Sequence, residues 1–451
     1  MKKKKLLSCI LATVCCSLFF GQIKIQAEET WPQGPSIESG SAIVMDVNSG
    51  TVLYEKNCHE SLYPASTTKI LTALLAIENT ELDEKVTFSY DSVHKTEGSS
   101  IWRDVDEVMT MEQCLYALML NSANECAYAI AEHTGGTYEQ FIQMMNDRAA
   151  LLGCEDTHFS NPHGLTEEDH YTSCYDLALI SKEALKNELF CKIAATKRYD
   201  IPPTNKHPDE TTYLTNHQKM LWEGEEYYYE YCIGGKTGYT EAAGNTLVTF
   251  AEKDGMKLVC VIMKGKHPGH YEDTIKLLNY AFENFKAYNI AENLDEDMVL
   301  QLPENDFLKM EAFADIDKTA GIVLPIDAEF SEAKLELIEA GTDKDIAGTL
   351  QYTYGERVVG SVDVKRTEQE VKEYPFEAFD VNQEEEPEKV IRIDWKWILI
   401  VIAAVIVLGA AGFGIYKLGD NFYLIRYKLM SRKANTIKTD VIQRKRRKRR
   451  R

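Results

Sequence analysis

The sequence predicts a mixed α/β protein of the α+β kind. An antiparallel sheet flanked by helices is followed by a small all-β domain and one C-terminal transmembrane helix. Three observations predict this. Strand patterns stand at both ends of residues 37–286 with helical patterns between them, short β-type runs fill residues 291–374, and an uncharged apolar run covers 398–415. Strands from both ends of one segment favour a single antiparallel sheet with helices packed on its faces.

The N-terminus predicts export. Residues 1–27 join a basic stretch to an apolar run and end at the small residue Ala27, as in a cleaved signal peptide. The alternative is a first transmembrane helix, but the apolar run is short, and acidic rather than basic residues follow Ala27.

The other end of the chain predicts a membrane anchor. Residues 395–416 contain 18 consecutive uncharged residues bracketed by Trp395, Trp397 and Tyr416, which is about one crossing of the hydrocarbon core with aromatic residues at its borders. An acidic linker, 375–394, precedes this span, and a basic tail, 417–451, follows it.

Charge is divided unevenly between these regions. The net charge of the whole chain is −21. Residues 417–451 contain 14 of the 50 Lys and Arg residues but only two of the 71 acidic residues, which leaves a net charge of −33 on the preceding 416 residues. Such a tail can indicate nucleic-acid binding, yet behind a membrane span it is better explained by stop-transfer anchoring and anionic lipid. We therefore predict a single-pass protein of the cell membrane, with an extracellular main domain, a cytoplasmic tail and no nucleic-acid partner.

Cysteine and histidine spacing predicts no metal and no cofactor. Eight of the 11 cysteines follow residue 27, and none forms a CxxC motif or a Cys/His cluster with zinc spacing. Their even number permits disulfides in an exported protein, but Cys114, Cys126 and Cys260 lie inside apolar patterns, so buried free thiols are equally open. His207, His217, His267 and His270 have no metal spacing.

Local patterns give the elements of the main domain in order. A hairpin with a Gly-containing turn is predicted at 41–54, and two strands at 245–251 and 257–263. The predicted helices are 69–77, 110–120, a continuation to about His133, 137–152, 173–186 and 271–285. In the small domain the strand-like runs are 298–302, 322–325, 333–338, 349–354 and 357–364.

The first chemical signal is Ser66-Thr-Thr-Lys69. A serine hydroxyl needs a base to become a nucleophile, and residues three apart on a helix share a face. Ser66 would stand at a helix N-terminus, whose partial positive charge stabilises an alkoxide. Lys69 can act as the base only when its amine is neutral, so the rate should fall at acidic pH.

Two further motifs make this pair more specific. Ser122-Ala-Asn124 lies at a break between two predicted helices, where a turn can direct both side chains into a cleft. Lys236-Thr237-Gly238 precedes a strand pattern. Gly-Gly-Lys-Thr also suggests a phosphate-binding loop, but Glu230 occupies the position of the required first glycine and no helix pattern follows.

In this order and spacing, the three motifs resemble those of the penicillin-recognising serine enzymes. More closely, the chain resembles the D-alanyl-D-alanine carboxypeptidases, the low-molecular-mass penicillin-binding proteins. The resemblance covers roughly residues 37–286 and extends to Asn161-Pro-His-Gly-Leu165, where we expect His163 to shape a loop near the site. The small β-domain matches the family only loosely, and a full membrane span replaces the amphipathic anchor common in that family.

The resemblance implies a peptidoglycan stem peptide ending in D-Ala-D-Ala as the substrate and β-lactams as covalent inhibitors. Ser66 would attack the carbonyl, Lys69 would accept the proton, and Ser122 would relay a proton to the leaving amine. The implied substrate-binding residues are Asn124, Lys236, Thr237, Gly238 and Tyr239, with the N–H groups of Ser66 and Tyr239 as the oxyanion hole.

Two other functions share these motifs. A class A β-lactamase would need a further glutamate, for which Glu167 and Glu168 are in the right region but within a solvated loop pattern. A non-catalytic sensor of peptidoglycan or β-lactam would keep the fold, although such a binder does not need the base Lys69.

Overall fold

The computed structural model describes residues 31–294, 315–339 and 346–365. The predicted signal peptide, acidic linker, transmembrane helix and basic tail lie outside these residues and stay predictions. In the described part of the chain, no helix is both long enough and apolar enough to cross a membrane.

The described residues form short strands and medium-length helices. In chain order the strands are β1 (Ser41–Asp46), β2 (Val52–Lys56), β3 (Lys85–Thr87), β4 (Val108–Thr110), β5 (Arg198–Ile201), β6 (Thr212–Thr215), β7 (Cys232–Thr240), β8 (Gly244–Lys253), β9 (Met256–Gly265), β10 (Phe285–Asn289), β11 (Asp315–Ile316), β12 (Gly321–Pro325), β13 (Lys334–Glu339), β14 (Ile346–Tyr354) and β15 (Arg357–Lys365). The helices are α1 (Lys69–Asn79), α2 (Tyr90–His94), α3 (Met111–Leu120), α4 (Asn124–Gly135), α5 (Tyr138–Leu151), α6 (Cys174–Ala184), α7 (Glu188–Ala195), α8 (Gly269–Asn284) and α9 (Ile290–Asn293).

The main sheet has five antiparallel strands in the order β2-β1-β9-β8-β7. It is assembled from both ends of the main domain, as the sequence predicts. Among the described residues, β7 pairs with β8 alone, so its other side is an open edge that carries Lys236-Thr237-Gly238. An edge strand leaves backbone N–H and C=O groups free to meet an extended peptide.

Both faces of this sheet are buried against helices. Side chains alternate across a strand, and in β1 Ile43 and Met45 join one apolar core while Ala42 and Val44 join the other. The first core includes α1, α3 and α4, and the second includes α8. The sheet and its helices therefore form a rigid support for the residues at the β7 edge.

Helix starts follow the predicted capping chemistry. Thr110 Oγ1 accepts a hydrogen bond from Gln113 N at 3.2 Å, and Gln113 Oε1 accepts one from Thr110 N at 2.8 Å. This reciprocal pair is the predicted capping box. Thr137 and Ser173 cap α5 and α6 through one bond each, in which the side-chain oxygen accepts from Gln140 N or Asp176 N.

Some elements are absent from the sequence-based prediction. It does not include α7, α2 or the small hairpins β3–β4 and β5–β6, because elements of three to eight residues show little periodicity. The eight described cysteines, for which both states were open, are all free thiols.

A smaller sheet, β11-β15-β14-β13, follows, and β12 pairs with β10. The predicted runs at 322–325, 333–338, 349–354 and 357–364 coincide with β12 to β15, whereas 298–302 lies outside the described residues. Its own core includes Ile322, Leu350, Tyr352 and Val359. The proposed boundaries of this domain, 291–374, stay a prediction.

Candidate active site

Ser66 lines a cavity of about 310 Å³ beside the open edge of β7. The chain reaches it through Ala65, whose φ is 50°, and forms a 3₁₀ turn, Ala65–Thr68, directly before α1. Thr67 Oγ1 donates to Pro64 O at 2.7 Å and Thr68 Oγ1 donates to Ala65 O at 2.9 Å. These local bonds place Ser66 at the N-terminal end of α1, as the sequence predicts.

The Lys69 amine bonds to three groups. Its Nζ lies 3.0 Å from Ser66 Oγ, 2.6 Å from Asn124 Oδ1 and 2.5 Å from the backbone oxygen of His163. Lys69 itself is fully buried. The predicted nucleophile and base are therefore in direct hydrogen-bond contact.

The surroundings of Lys69 favour the neutral amine. Burial lowers its pKa well below the usual value for lysine, and the nearby Lys236 ammonium lowers it further. The Glu125 carboxylate opposes this shift. Desolvation is the larger cause, so Lys69 meets the requirement for a general base.

The Asn124 side chain is fixed in the orientation in which it bonds to the Lys69 amine. Its Nδ2 donates to Glu97 O, which leaves Oδ1 directed at Lys69. Its backbone N donates to Ser99 O at 2.8 Å. Glu125 Oε1 accepts from Ile101 N and Ser100 Oγ, both at 2.6 Å. The start of α4 thus fixes one wall of the cavity.

Ser122 lies at the predicted break between α3 and α4. Its φ is 60°, it is 4% exposed, and it lines the cavity. Among the described residues, no group bonds to its buried Oγ. A buried hydroxyl without a partner is costly, and a bound substrate could supply the missing hydrogen bond.

Lys236 and Thr237 occupy different positions relative to the cavity. Thr237 lines it, whereas Lys236 is 1% exposed and donates from Nζ to the backbone oxygen of Thr237 at 2.9 Å. Burial lowers the pKa of Lys236 to about 7. The resemblance implies that both residues bind substrate, but of the two only Thr237 lines the cavity.

Gly238 and Tyr239 complete the strand side of the cavity. A Cβ atom at Gly238 would lie 2.8 Å from Ser66 N and 3.1 Å from Ala65 Cβ, so only glycine allows this close approach. Tyr239 also lines the cavity and is 64% exposed. All the residues predicted from the sequence are thus brought together, and their individual roles stay predictions.

Residues outside the three motifs support the turn at Ser66. Ser160 N donates to His170 Nδ1 at 3.1 Å, so His170 carries its proton on Nε2, 2.9 Å from Thr68 Oγ1. Burial lowers the pKa of His170 to about 3, which keeps the ring neutral. A single histidine in a loop gave no sequence signal for this role.

The loop around His163 is closer to the chemistry than predicted. His163 contributes its backbone oxygen to Lys69, and Thr72 Oγ1 donates to Pro162 O at 2.6 Å. Gly164, with φ of 89°, lies against the Ala65 carbonyl. The Asn-Pro-His-Gly sequence thus supports both the base and the nucleophile turn.

The two glutamates considered for a β-lactamase lie elsewhere. Glu167 and Glu168 are exposed, and neither belongs to the described residues that line the cavity. Glu167 Oε1 accepts from Asn161 Nδ2 at 2.8 Å, within its own loop. This arrangement gives no support to a glutamate-activated water at Ser66.

Comparisons with known proteins identify the family of this chain. A family described as D-alanyl-D-alanine carboxypeptidase matches residues 28–267. The chain is 32% identical over 292 residues to the D-alanyl-D-alanine carboxypeptidase DacF of Bacillus subtilis, covering 63% of this chain and 72% of that protein. It is 28% identical over 355 residues to DacD of Escherichia coli, covering 70% and 86%.

Solved structures of a penicillin-binding protein and a DD-transpeptidase also align with this chain. The crystal structure of penicillin-binding protein 6B from Escherichia coli aligns with a TM-score of 0.56 and 25% identity, covering 74% of this chain and 97% of that one. The Streptomyces K15 DD-transpeptidase aligns with a TM-score of 0.52 and 29% identity, covering 56% and 100%.

Proposed function

The chain belongs to the D-alanyl-D-alanine carboxypeptidase family of serine-type hydrolases, and on that premise we propose that it removes the terminal D-alanine from peptidoglycan stem pentapeptides through an acyl-enzyme on Ser66. One observation carries the proposal. The buried Lys69 Nζ lies 3.0 Å from Ser66 Oγ, in surroundings that favour the neutral amine.

The partners of Lys69 indicate how the proton moves. Asn124 Oδ1 and His163 O can only accept hydrogen bonds, so they take the two hydrogens of a neutral amine. The remaining lone pair then faces Ser66 Oγ, whose hydroxyl can donate to it. Lys69 is thereby oriented as the acceptor of the serine proton, and general-base assistance of this kind is worth about 10²–10⁴ in rate.

The reaction then follows from the cavity lining. Ser66 Oγ bonds to the carbonyl carbon of the penultimate D-alanine while its proton passes to Lys69. The N–H groups of Ser66 and Tyr239 would stabilise the oxyanion. As the carbon–nitrogen bond breaks, the Ser122 hydroxyl would give its proton to the amine of the departing D-alanine and would take back the proton that Lys69 accepted. Water then cleaves the Ser66 ester, which restores the hydroxyl and releases the shortened peptide.

Release of D-alanine from a pentapeptide ending in D-Ala-D-Ala tests the proposal. We expect the purified chain to release D-alanine and to form a covalent adduct with labelled penicillin. Ser66→Ala and Lys69→Ala should lose both activities while keeping the circular dichroism spectrum of the folded chain. Near-normal acylation by Lys69→Ala would refute the assignment of the base.

The same experiment separates the two alternative functions. A chain that binds labelled penicillin without a covalent adduct would be a sensor. Rapid hydrolysis of penicillin, with no release of D-alanine, would indicate a β-lactamase. Stable penicillin labelling together with D-alanine release is the outcome that supports a carboxypeptidase.

We also keep export and anchoring as part of the proposal. The basic and apolar start of the chain, the span at 395–416 with its uncharged run 398–415, and the basic tail at 417–451 support a single-pass protein whose catalytic domain is extracellular. Protease added to intact cells should digest the catalytic domain and leave a tag at the C-terminus protected. Digestion of both would contradict this topology.

A further inference from the structure

A group of side chains that can ligate a metal lies away from the Ser66 cavity. Asp104 and Glu107 stand in the segment between α2 and β4, and His207 stands in the loop between β5 and β6. Ligand atoms of these three residues lie within 4.8 Å of one another. None of the three lines the cavity. They come from segments that are far apart in the chain, so the spacing of residues in the sequence does not predict the group.

The His207 ring nitrogen Nε2 lies between two carboxylates and donates a hydrogen bond to neither. It is 3.3 Å from Asp104 Oδ2 and 3.6 Å from Glu107 Oε2. The nitrogen is buried, and among the described residues it has no hydrogen-bond partner. A buried polar atom without a partner is costly unless a ligand satisfies it. Nε2 is therefore available to coordinate a cation that the two carboxylates also reach.

The spacing of these atoms fits a zinc ion. Zn²⁺ binds histidine nitrogen and carboxylate oxygen at about 2.0–2.2 Å in tetrahedral geometry, so two of its ligand atoms lie about 3.3–3.6 Å apart. The distances from His207 Nε2 to the two carboxylate oxygens, 3.3 and 3.6 Å, fall within this range. Ca²⁺ and Mg²⁺ instead prefer a shell of about six or more oxygen ligands. One imidazole with two carboxylates therefore favours Zn²⁺ over these ions.

The His207 ring has the surroundings of a metal-bound histidine. Its second nitrogen, Nδ1, faces Glu210 Oε2 at 3.5 Å. Metal-bound histidines commonly have a carboxylate in this position, where it accepts the hydrogen of one ring nitrogen and directs the lone pair of the other at the metal. The backbone N of His207 also donates to Thr204 Oγ1 at 3.1 Å. The ring is thus oriented with Nε2 towards Asp104 and Glu107.

The Glu107 carboxylate is fixed in the same way. Glu107 is fully buried, and its Oε1 accepts from Arg103 Nη1 at 2.9 Å and from Thr204 Oγ1 at 2.7 Å. Its Oε2 accepts from Asp104 N at 2.9 Å and has a second lone pair for a cation. Because Arg103 balances one of the three carboxylates, which are Asp104, Glu107 and Glu210, two negative charges remain to attract a divalent cation.

We propose that Asp104, Glu107 and His207 bind one Zn²⁺ ion, with water as the fourth ligand. The ion ties the segment before β4 to the loop between β5 and β6. The first of these segments also supports the start of α4, because Ser99 O accepts from Asn124 N at 2.8 Å. The role of the ion is therefore structural: it stabilises one wall of the cavity and takes no part in the reaction. This inference goes beyond the proposed function and does not depend on it.

Calorimetry with metal salts tests the proposal. The full chain, first treated with a chelator, should bind one Zn²⁺ ion, and Zn²⁺ at about 100 times its Kd should raise the thermal midpoint by about 5 °C. Ca²⁺ should bind at least about 10-fold more weakly. Asp104→Ala and His207→Ala should each weaken Zn²⁺ binding by about 100-fold or more and lose the thermal shift. Asp104 is exposed, so its variant gives a result even if the His207 variant does not fold.

His59→Ala is the matched control. His59 Nδ1 lies 3.3 Å from Asp156 Oδ2, the same distance as in the proposed site. Within the described part of the chain, however, His59 belongs to no group of three ligands. The His59→Ala variant should therefore keep both the Zn²⁺ affinity and the thermal shift of the unmodified chain.

Limited digestion with trypsin tests where the ion binds. Lys206 is exposed and directly precedes His207. Bound Zn²⁺ should slow cleavage after Lys206 by about 10-fold or more in the unmodified chain, as measured by mass spectrometry, and should have no effect on this cleavage in Asp104→Ala. The proposal is overturned if the unmodified chain binds no Zn²⁺. It is equally overturned if Asp104→Ala and His207→Ala bind Zn²⁺ as tightly as the unmodified chain, because the ion then binds elsewhere, for example at a thiol.

Discussion

Gly164→Ala should disable the nucleophile without touching any residue of the three motifs. Gly164 has φ of 89°, and a Cβ atom there would overlap the Ala65 carbonyl group and lie 3.0 Å from Ser66 N. Both neighbours are backbone atoms, which cannot rotate away as a side chain can. The added methyl group must therefore move the Ala65–Ser66 turn or the loop that carries Gly164.

The size of the effect follows from this overlap. Restoring an ordinary carbon–oxygen contact of about 3.3 Å or more requires a shift of about 1 Å or more. A misplacement of about 1 Å in a reacting group can cost about 10²-fold in rate. The left-handed φ adds about 1–2 kcal/mol of strain for any L-residue. We expect acylation to fall by about 10²-fold and the thermal midpoint to fall as well.

Gly153→Ala is the matched control. Gly153 has φ of 82°, but nothing lies within 4 Å of its added Cβ atom. It should lose similar stability from strain while keeping its acylation rate. The assay is the second-order rate of covalent labelling by a fluorescent penicillin, with thermal unfolding measured in parallel. If Gly164→Ala acylates within about threefold of Gly153→Ala, the Gly164–Ala65 contact does not position Ser66.

Three further predictions concern charge and strain. Acylation should decline as the pH falls through the pKa that Lys69 has in the folded chain. Lys236→Met should move that decline to higher pH, because loss of a neighbouring ammonium raises the pKa of Lys69. A pH profile unchanged by the variant would contradict this. Trp102 has φ of 60° and is 80% exposed, so Trp102→Gly should stabilise the chain by about 0.5–1 kcal/mol; a lower thermal midpoint would refute the strain. Burial lowers the pKa of His170 from 6.5 to about 3, so falling pH favours the unfolded chain by about 1.4 kcal/mol per pH unit across that interval. In urea titrations from pH 7 to 4, His170→Asn should show a shallower loss of stability than the unmodified chain, and an equal slope would exclude His170 as a contributor.

Much of the fold was predictable because its signals are local. The capping box at Thr110 and Gln113 depends on a spacing of three residues, and α1 and α5 follow helical periodicity. Strands β1, β2, β8 and β9 follow alternation or continuous apolar runs, whereas β7 shows neither pattern because three of its nine residues are glycine. Short elements such as β5–β6 and α7 were missed because they form through long-range contacts, such as that between Arg103 Nη2 and Thr212 Oγ1 at 3.1 Å.

The candidate site was predictable as far as its motifs reach. Residue type and spacing identify Ser66 with Lys69, Ser122 with Asn124, and Lys236 with Thr237. They do not distinguish a side chain that faces the cavity from one that lies behind it, as the positions of Thr237 and Lys236 illustrate. The order of the motifs along the chain is the same in either case.

The sequence by itself predicted that Ser66 and Lys69 lie side by side, because residues three apart at the start of a helix share a face. The tertiary structure decided the pKa of the Lys69 amine and the direction in which it points. The lowered pKa of Lys69 depends on burial and on Lys236. The orientation of its amine depends on Asn124 and the His163 carbonyl, which are 55 and 94 residues away in the chain. His217, Lys219 and His270 likewise reach one cavity only because the segment before β7 and the start of α8 converge there. Desolvation and charge proximity are properties of the folded surroundings, so no local pattern could reveal them.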